Sequence, residues 1–329
     1  MMYVQITNGL YNSNPVNGVY PLVQDWKETT KPAKEGHVVV LINEIKVRVL
    51  VDRADCIATA NPEAVMLPVV EETEDEIRAR ITTRFRVMNK MAAGAIAGVV
   101  TSLIISGAPG VGKTFELEKR LVNAANSGRI SFGAVKGKCS AIGLYLKLYE
   151  FRDPGSVLLL DDVDVFSNED SLNLLKAALD TGETRTVSWQ TASSFLEEKG
   201  IPNDFVFEGT VIFISNMDFD RELERGSKIT CHVDALLSRS IYLDLGVHTK
   251  KEILVRVKDV VQNTDMLTKK GLNETEIQEM MTWVETNVDD LRNLSLRTML
   301  HIADMVMTDP EDWKEIAEVT MIKPKTRRA

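Results

Sequence analysis

The residues best suited to chemistry lie in one glycine-rich stretch, residues 107–114, which reads Gly-Ala-Pro-Gly-Val-Gly-Lys-Thr. A mostly apolar run at 99–105 precedes it, so we expect a buried strand, this turn and a helix that opens at Lys113. Glycines at this spacing let the backbone form a concave nest of N–H groups, and the helix N-terminus adds the positive end of its dipole. The stretch therefore predicts a phosphate-binding loop. The residues expected to surround the nucleotide are Gly107, Pro109, Gly110, Val111, Gly112, Lys113, Thr114 and Phe115.

Within that loop we expect two side chains to act directly. Lys113 should reach the β and γ phosphates as a point charge, and the Thr114 hydroxyl should be a ligand of Mg²⁺.

A pair of carboxylates forms the second chemical element. Four consecutive apolar residues at 157–160 predict a strand buried on both faces of a parallel sheet, and the strand ends in Asp161 and Asp162. Open α/β sheets place ligand-facing groups at this end of a strand. We expect Asp161 to hold Mg²⁺ through water and Asp162 to orient or deprotonate the attacking water.

Two more polar residues stand beside predicted strands. The apolar run at 211–214 is followed by Asn216, whose amide could hydrogen-bond the attacking water or the γ-phosphate. Arg239 lies just ahead of a strand predicted at 241–245. An arginine there is a candidate for neutralising γ-phosphate charge in the transition state.

The elements around these residues divide the chain into parts. Residues 1–70 are strand-rich and predict a small β-rich module, residues 71–246 an α/β nucleotide-binding domain, residues 247–322 a helical lid, and residues 323–329 a basic tail. The tail is interpreted as a solvated terminus, with contact to an acidic partner as the alternative.

In the β-rich module, the expected features are polar loops at 12–18 and 27–36, strands at 38–42 and 45–51 joined by a hairpin at Asn43-Glu44, and a long loop at 53–68.

Helix starts are marked by capping boxes, in which a Thr or Asn is followed three residues later by Glu. Thr73 predicts a helix over 74–92, and Thr249 and Asn273 predict helices of about 14 residues. Further helices are expected at 114–125, 141–150, 171–179 and 294–307, with one more starting at Asp309-Pro310, and a strand is expected at 184–190.

The first of these helices has a basic face. Its cations are Arg78, Arg80, Arg84, Arg86 and Lys90. We interpret the face as solvated and paired with the acidic residues at 71–75, in preference to a binding surface.

Composition excludes several classes of protein. The 329 residues are 44% hydrophobic, with three dispersed cysteines and no run that would span a membrane or serve for export. A reducing, cytoplasmic location follows, and the histidines and cysteines lack the spacing of a zinc site. The net charge of −9 argues weakly against a surface built to wrap nucleic acid, although local basic patches remain possible.

The ordered set of motifs resembles the AAA+ ATPases over about residues 75–322. The resemblance implies a P-loop parallel sheet with helices on both faces, a C-terminal helical lid, and ATP with Mg²⁺ as cofactors. It also implies that Asn216 acts as sensor 1, Arg239 as an arginine finger on the neighbouring subunit's ATP, and Arg297 as sensor 2. The acidic pair is Asp-Asp, where the family usually has Asp-Glu. This pair occurs in superfamily 3 helicases and phage-encoded members, which favours a phage source and a host-cytoplasm location.

An arginine finger implies a homo-oligomer, with a hexamer as the family default. Lys136, Gly137 and Lys138 fall where such rings carry a pore loop and could meet DNA phosphates. The strand predicted at 184–190 falls near the position where clamp loaders and related helicases carry an inserted hairpin. Both this strand and the expected pore loop could equally be part of the structural scaffold, without a binding role. Three functions stay open at this point. They are a motor or loader on DNA, a protein-remodelling ATPase that selects clients through its N-terminal module, and an ATP-gated scaffold.

Overall fold

The computed structural model describes residues 2–11, 14–29, 34–42, 45–59, 72–165, 168–190, 194–225 and 230–324. These fall into two compact units, one formed by Met1–Glu72 with Asp218–Asp234 and the other by Thr73–Met217 with Ala235–Ala329. The domain boundaries expected from the sequence stay predictions. None of the helices in the described part of the chain is long and apolar enough to cross a bilayer.

The strands, in chain order, are β1 (Tyr3–Tyr11), β2 (Asn14–Glu28), β3 (Gly36–Ile42), β4 (Ile45–Val51), β5 (Cys56–Thr59), β6 (Ser102–Ser106), β7 (Ser131–Lys136), β8 (Ser156–Asp161), β9 (Thr186–Ser188), β10 (Asp204–Val206), β11 (Thr210–Ser215) and β12 (Ile241–Asp244). The helices are α1 (Glu74–Ile96), α2 (Lys113–Asn126), α3 (Ala141–Glu150), α4 (Glu169–Ala178), α5 (Ser194–Glu198), α6 (Phe219–Arg225), α7 (Thr230–Leu237), α8 (Lys250–Asn263), α9 (Glu274–Thr286), α10 (Leu296–Thr308) and α11 (Trp313–Met321).

The β-rich module is an antiparallel sheet with the strand order β2-β3-β4-β1-β5. Alternate residues of β3 and β4, such as Val38, Val40 and Val49, form its core, as the period of two in a strand requires. The prediction of a β-rich module is confirmed. The pairing of Ile42 with Ile45 brings the ends of β3 and β4 together, while the expected hairpin residues themselves lie outside the described part.

Two loop predictions in this module are wrong. A polar loop was expected at 12–18, but β2 runs from Asn14 to Glu28 and pairs with β1 and β3. The loop expected at 27–36 is correct between the strands, since β2 ends at Glu28 and β3 begins at Gly36. The long loop expected at 53–68 contains β5, which pairs with β1, and residues 60–68 lie outside the described part. A neighbouring strand supplies hydrogen bonds to the backbone N–H and C=O groups, so a polar segment can form a strand. The local sequence does not show which segments have such a neighbour.

The second five-stranded sheet is parallel throughout, in the order β12-β6-β11-β8-β7. Successive residues of β8 point to opposite faces of the sheet. Val157 and Leu159 pack with α1 and α2. Leu158 and Leu160, which alternate with them, are equally buried, and α3 and α4 contact each other. The predicted α/β fold with helices on both faces is confirmed.

The lid consists of α8 to α11 around its own core, which includes Met280, Trp283 and Met299. Asp309-Pro310 does not start the last helix as expected. α11 begins at Trp313, because the Asp309 carboxylate accepts the backbone N–H groups of Glu311 and Asp312 and so closes a turn first. The strand expected at 184–190 is also shorter, since only β9 pairs with β10.

Candidate nucleotide-binding site

The glycine-rich loop connects β6 to α2, as the motif predicts. Two of its glycines have a left-handed backbone, with φ of 71° at Gly110 and 98° at Gly112, a region that side chains rarely occupy. Space is also limiting, because a Cβ on Gly110 would lie 2.7 Å from the Cβ of Ser295 in the lid. The loop therefore needs glycine both for its turn and for its contact with the lid.

Lys113 is the buried cation of the site, with 5% of its surface exposed. Its Nζ donates to the Gly107 carbonyl, to the Ala108 carbonyl at 2.9 Å and to Asn216 Oδ1 at 2.8 Å. Burial lowers the pKa of Lys113 to about 8, against the charges of Asp162 and Asp161 that raise it. An anion beside Nζ would favour the charged form, so the loop is suited to phosphate.

Thr114 and Asp161 meet at the mouth of the same loop. The Thr114 hydroxyl donates to Asp161 Oδ1 at 2.8 Å. The sheet register explains the contact, since β8 pairs with β11 and β11 with β6, so their carboxyl ends lie side by side. A hydroxyl and a carboxylate oxygen are hard ligands that fit Mg²⁺.

Asp162 has an unusual backbone. Its φ is 53°, one of two positive values among the described non-glycine residues, and its N–H donates to the Ile214 carbonyl at 3.0 Å. Such a conformation costs about 1–3 kcal/mol and is concentrated at functional sites. Its side chain is exposed at the strand end, close enough to raise the pKa of Lys113.

The lid brings Arg297 to the site. The backbone N–H of Leu296, the first residue of α10, donates to the Gly110 carbonyl at 2.9 Å. The Arg297 side chain is exposed, and its charge lowers the pKa of Lys113. The exposed residues Pro109 and Phe115 and the buried Val111 complete the predicted nucleotide-contacting set.

Two other predicted site residues make their contacts away from residues 107–114. Arg239 forms an ion pair with Asp180 at 3.5 Å and donates to the Ala235 carbonyl at 2.8 Å. Lys136 ends β7 and pairs with Glu118 at 2.8 Å. Gly137 has a φ of 80°, and Lys138 is exposed beside it.

Sequence reasoning missed Arg256, a buried arginine of α8 with 6% of its surface exposed. Its Nε donates to the Val111 carbonyl in the phosphate loop at 3.4 Å, and its Nη2 pairs with Glu116 at 2.9 Å. The guanidinium carbon lies 3.6 Å from the ring centre of Phe85, which is a cation–π geometry. The sequence signal that could have identified Arg256 was an arginine placed between two valines of a predicted helix.

The prediction that the basic face of α1 is solvated is wrong for two of its residues. Arg80 pairs with Glu252 at 2.7 Å and donates to the Gly246 carbonyl, and Arg84 pairs with Asp244 at 3.0 Å. These partners lie at or just after the end of β12 or near the start of α8, far along the chain. Local charge counting could find only neighbours such as Asp75, which lies 3.7 Å from Arg78.

No protein-family model matches the chain. A protein of Enterobacteria phage T4, described as an uncharacterized 36.7 kDa protein in the nrdC-mobD intergenic region, is 48% identical over 320 residues, which cover 96% of this chain and 97% of the phage protein. The chain belongs to the family of that phage protein. The structure has the glycine-rich loop, the parallel sheet and the C-terminal helical bundle that the resemblance to AAA+ ATPases implied.

Among solved structures, a RuvB mutant of Thermotoga maritima is 16% identical with a TM-score of 0.42, and it covers 74% of this chain and 71% of its own. Domain III of the replication initiation protein DnaA of Thermotoga maritima is 14% identical with a TM-score of 0.43, over 74% of this chain and 92% of its own. NtrX of Brucella abortus in complex with ATP is 14% identical with a TM-score of 0.43, over 74% and 56%.

Proposed function

We propose that the chain is a Mg²⁺-dependent AAA+ ATP hydrolase that works on DNA as a homo-oligomer. The observation that carries the proposal is the convergence of four side chains at the ends of three adjacent strands. The Lys113 amino group meets Asn216 at 2.8 Å, and the Thr114 hydroxyl meets Asp161 at 2.8 Å. A buried cation, an amide and an oxygen pair in one place are what binding a nucleoside triphosphate requires.

Each side chain then has a task. Lys113 and the loop N–H groups bind the phosphates, and Arg297 adds positive charge from the lid. Asp162 orients the attacking water and accepts its proton, while Asn216 holds that water or the γ-phosphate in line. Thr114 and Asp161 would hold Mg²⁺, which when bound offsets the negative charge of the phosphates.

The proposal of an oligomer rests on Arg239. In one protomer its contacts run to Asp180 and Ala235, so a role at γ-phosphate falls to the site of a neighbouring copy, with a hexamer as the expected ring. Kinship with a phage T4 protein supports a phage source and action in the host cytoplasm.

DNA is the favoured substrate because exposed cations remain in an acidic chain, including Lys138 in the predicted pore loop. Protein remodelling is the second candidate. It is supported by exposed apolar side chains on the β-rich module, such as Val23 and Ile57, which could meet a protein client.

The test is phosphate release from ATP by the purified full chain, with and without Mg²⁺. We expect Mg²⁺-dependent turnover that falls about a hundredfold or more in Lys113→Ala. The matched control is Lys119→Ala, which removes an exposed lysine of the same helix and should stay within about twofold of the wild type. Equal turnover in Lys113→Ala and the wild type would refute the assignment.

A further inference from the structure

A second basic site lies between α1 and α2, apart from the nucleotide loop. It is a groove of about 470 Å³, lined in part by Thr82, Arg86, Asn89 and Lys90 of α1, by Arg120 of α2 and by Arg256 of α8. We call it the α1–α2 groove. Its size is that of a pocket for one small organic group.

Three cations of the groove are available to a ligand. Arg86, Lys90 and Arg120 are exposed, and within the described residues none of them has a carboxylate at ion-pair distance. The other arginines nearby are already used, because Arg80 and Arg84 pair with carboxylates of the chain. The groove is therefore a local concentration of positive charge on a chain of net charge −9.

The polar residues of the groove point to the same kind of ligand. The Nδ2 of Asn89 donates to Glu116 at 3.3 Å, but its buried Oδ1 has no hydrogen-bond partner among the described residues. A buried acceptor without a partner costs about 1–3 kcal/mol. Arginine, lysine, asparagine and threonine together are the usual contacts of a nucleic-acid backbone. The phosphates themselves bring no hydrogen-bond donor, so a donor for Asn89 Oδ1 would come from the N–H groups of a base in the same strand.

We propose that the α1–α2 groove binds single-stranded DNA through its phosphodiester backbone. Arg86 and Lys90 are four residues apart on one helix, so their Cβ atoms are about 5–6 Å apart along one face, and Arg120 faces them from α2. A pocket of this volume holds about one nucleotide unit of a strand, and contact to phosphates that is independent of sequence follows from the cations alone. The proposal deepens the proposed role on DNA and rests on it.

The groove also touches the phosphate loop through one side chain. Arg256 lines the groove and donates from Nε to the Val111 carbonyl. A strand bound there would lie against the residue that holds the loop, which gives DNA a route to affect the nucleotide site.

The experiment measures fluorescence anisotropy of a labelled 20-nucleotide single strand, and of a duplex of equal length, with the full chain at several salt concentrations. The groove variant is Arg86→Gln/Lys90→Gln/Arg120→Gln. The control is Arg129→Gln/Lys199→Gln/Lys269→Gln, which removes three exposed cations outside the groove and changes net charge equally. Thermal melting checks that both variants fold.

We expect the groove variant to bind the single strand at least tenfold more weakly than the wild type, and the control variant within about threefold. The salt slope should fall by about 2, since each lost phosphate contact removes about 0.7 for single strands. Equal losses in both variants, preference for the duplex, or no binding at low salt would overturn the proposal.

Sedimentation without DNA tests whether a second copy of this chain, and not DNA, occupies the groove. Loss of self-association by the groove variant with unchanged DNA affinity would make the groove an interface between copies and overturn the proposal. The outcomes can be told apart from those for hydrolysis. Groove-dependent DNA binding without turnover removes only the proposed ATPase activity, and DNA binding that the groove variant retains removes only the groove. Turnover without any DNA binding removes both the groove and the proposed role on DNA, and leaves the ATPase activity.

Discussion

At the scale of single residues, the site combines a buried cation with a strained carboxylate. Lys113 is held by two carbonyls and an amide, so it is already oriented before an anion arrives. Asp162 keeps a left-handed backbone that is stabilised by its own N–H bond to Ile214. Asparagine tolerates this conformation nearly as well as aspartate, which makes a clean substitution available.

Asp162→Asn should therefore keep the backbone and lose only the charge. We expect affinity for an ATP analogue within about threefold of the wild type, and turnover lower by about a hundredfold, because general-base help contributes that order. Analogue fluorescence and phosphate release measure the two. The control is Asp164→Asn, two residues on, and a normal rate in Asp162→Asn would move the base elsewhere.

At the scale of elements, the lid and α1 are tied to the nucleotide sheet by polar contacts. Leu296 of α10 bonds to Gly110, Arg256 of α8 bonds to Val111, and α1 reaches β12 through Arg84 and Asp244. Burial raises the pKa of Asp244, but hydrogen bonds from His248 and Gly246 and the charges of His248 and Arg84 outweigh it, so the pKa is lowered overall. Folding therefore favours the charged carboxylate.

The direction of that shift sets a pH dependence. A carboxyl with a lowered folded pKa contributes stability above its unfolded value, about 3.9, and loses the contribution as the pH falls through the folded value. We expect Asp244→Asn to lower Tm by about 2–4 °C at pH 7 and by less at pH 3. Circular dichroism at both pH values measures this. Asp289→Asn removes an exposed partner of Lys250 and should change Tm little; a deficit of Asp244→Asn that grows in acid would contradict the account.

At the scale of the whole molecule, the proposed site is incomplete in one copy. Arg239 is engaged with Asp180 and Ala235, and its proposed role at a neighbour's γ-phosphate makes activity a property of the assembly.

Mixing two inactive variants tests this. Lys113→Ala lacks the phosphate-binding cation and Arg239→Ala lacks the finger, so each alone should be inactive and a mixture should recover part of the wild-type rate, because some neighbours combine an intact loop with an intact finger. Specific activity of the wild type should also rise with protein concentration. Full activity of Arg239→Ala alone, with Arg129→Ala as the matched control, would remove the finger assignment.

The sequence by itself determined the features that depend on neighbours along the chain. The phosphate loop follows from glycines at fixed spacing, and the starts of α1, α8 and α9 were predicted by capping boxes at Thr73, Thr249 and Asn273 and are confirmed, because a cap is a contact within four residues. The order of strands and acidic residues was enough to predict the α/β fold and the candidates Asp161, Asp162 and Asn216.

Only the tertiary structure decided which distant groups meet. Arg80 and Arg84 were counted as solvated, yet their partners lie more than 150 residues away, and β2 and β5 form because β1 lies beside them. Arg256 belongs to the phosphate loop's surroundings for the same reason, and what remains of the α1 cations forms the groove with Arg120. Ion pairs and strand pairs join groups that are close in space but distant in sequence. The sequence therefore identifies the charged groups and the strands, but the tertiary fold decides which of them pair.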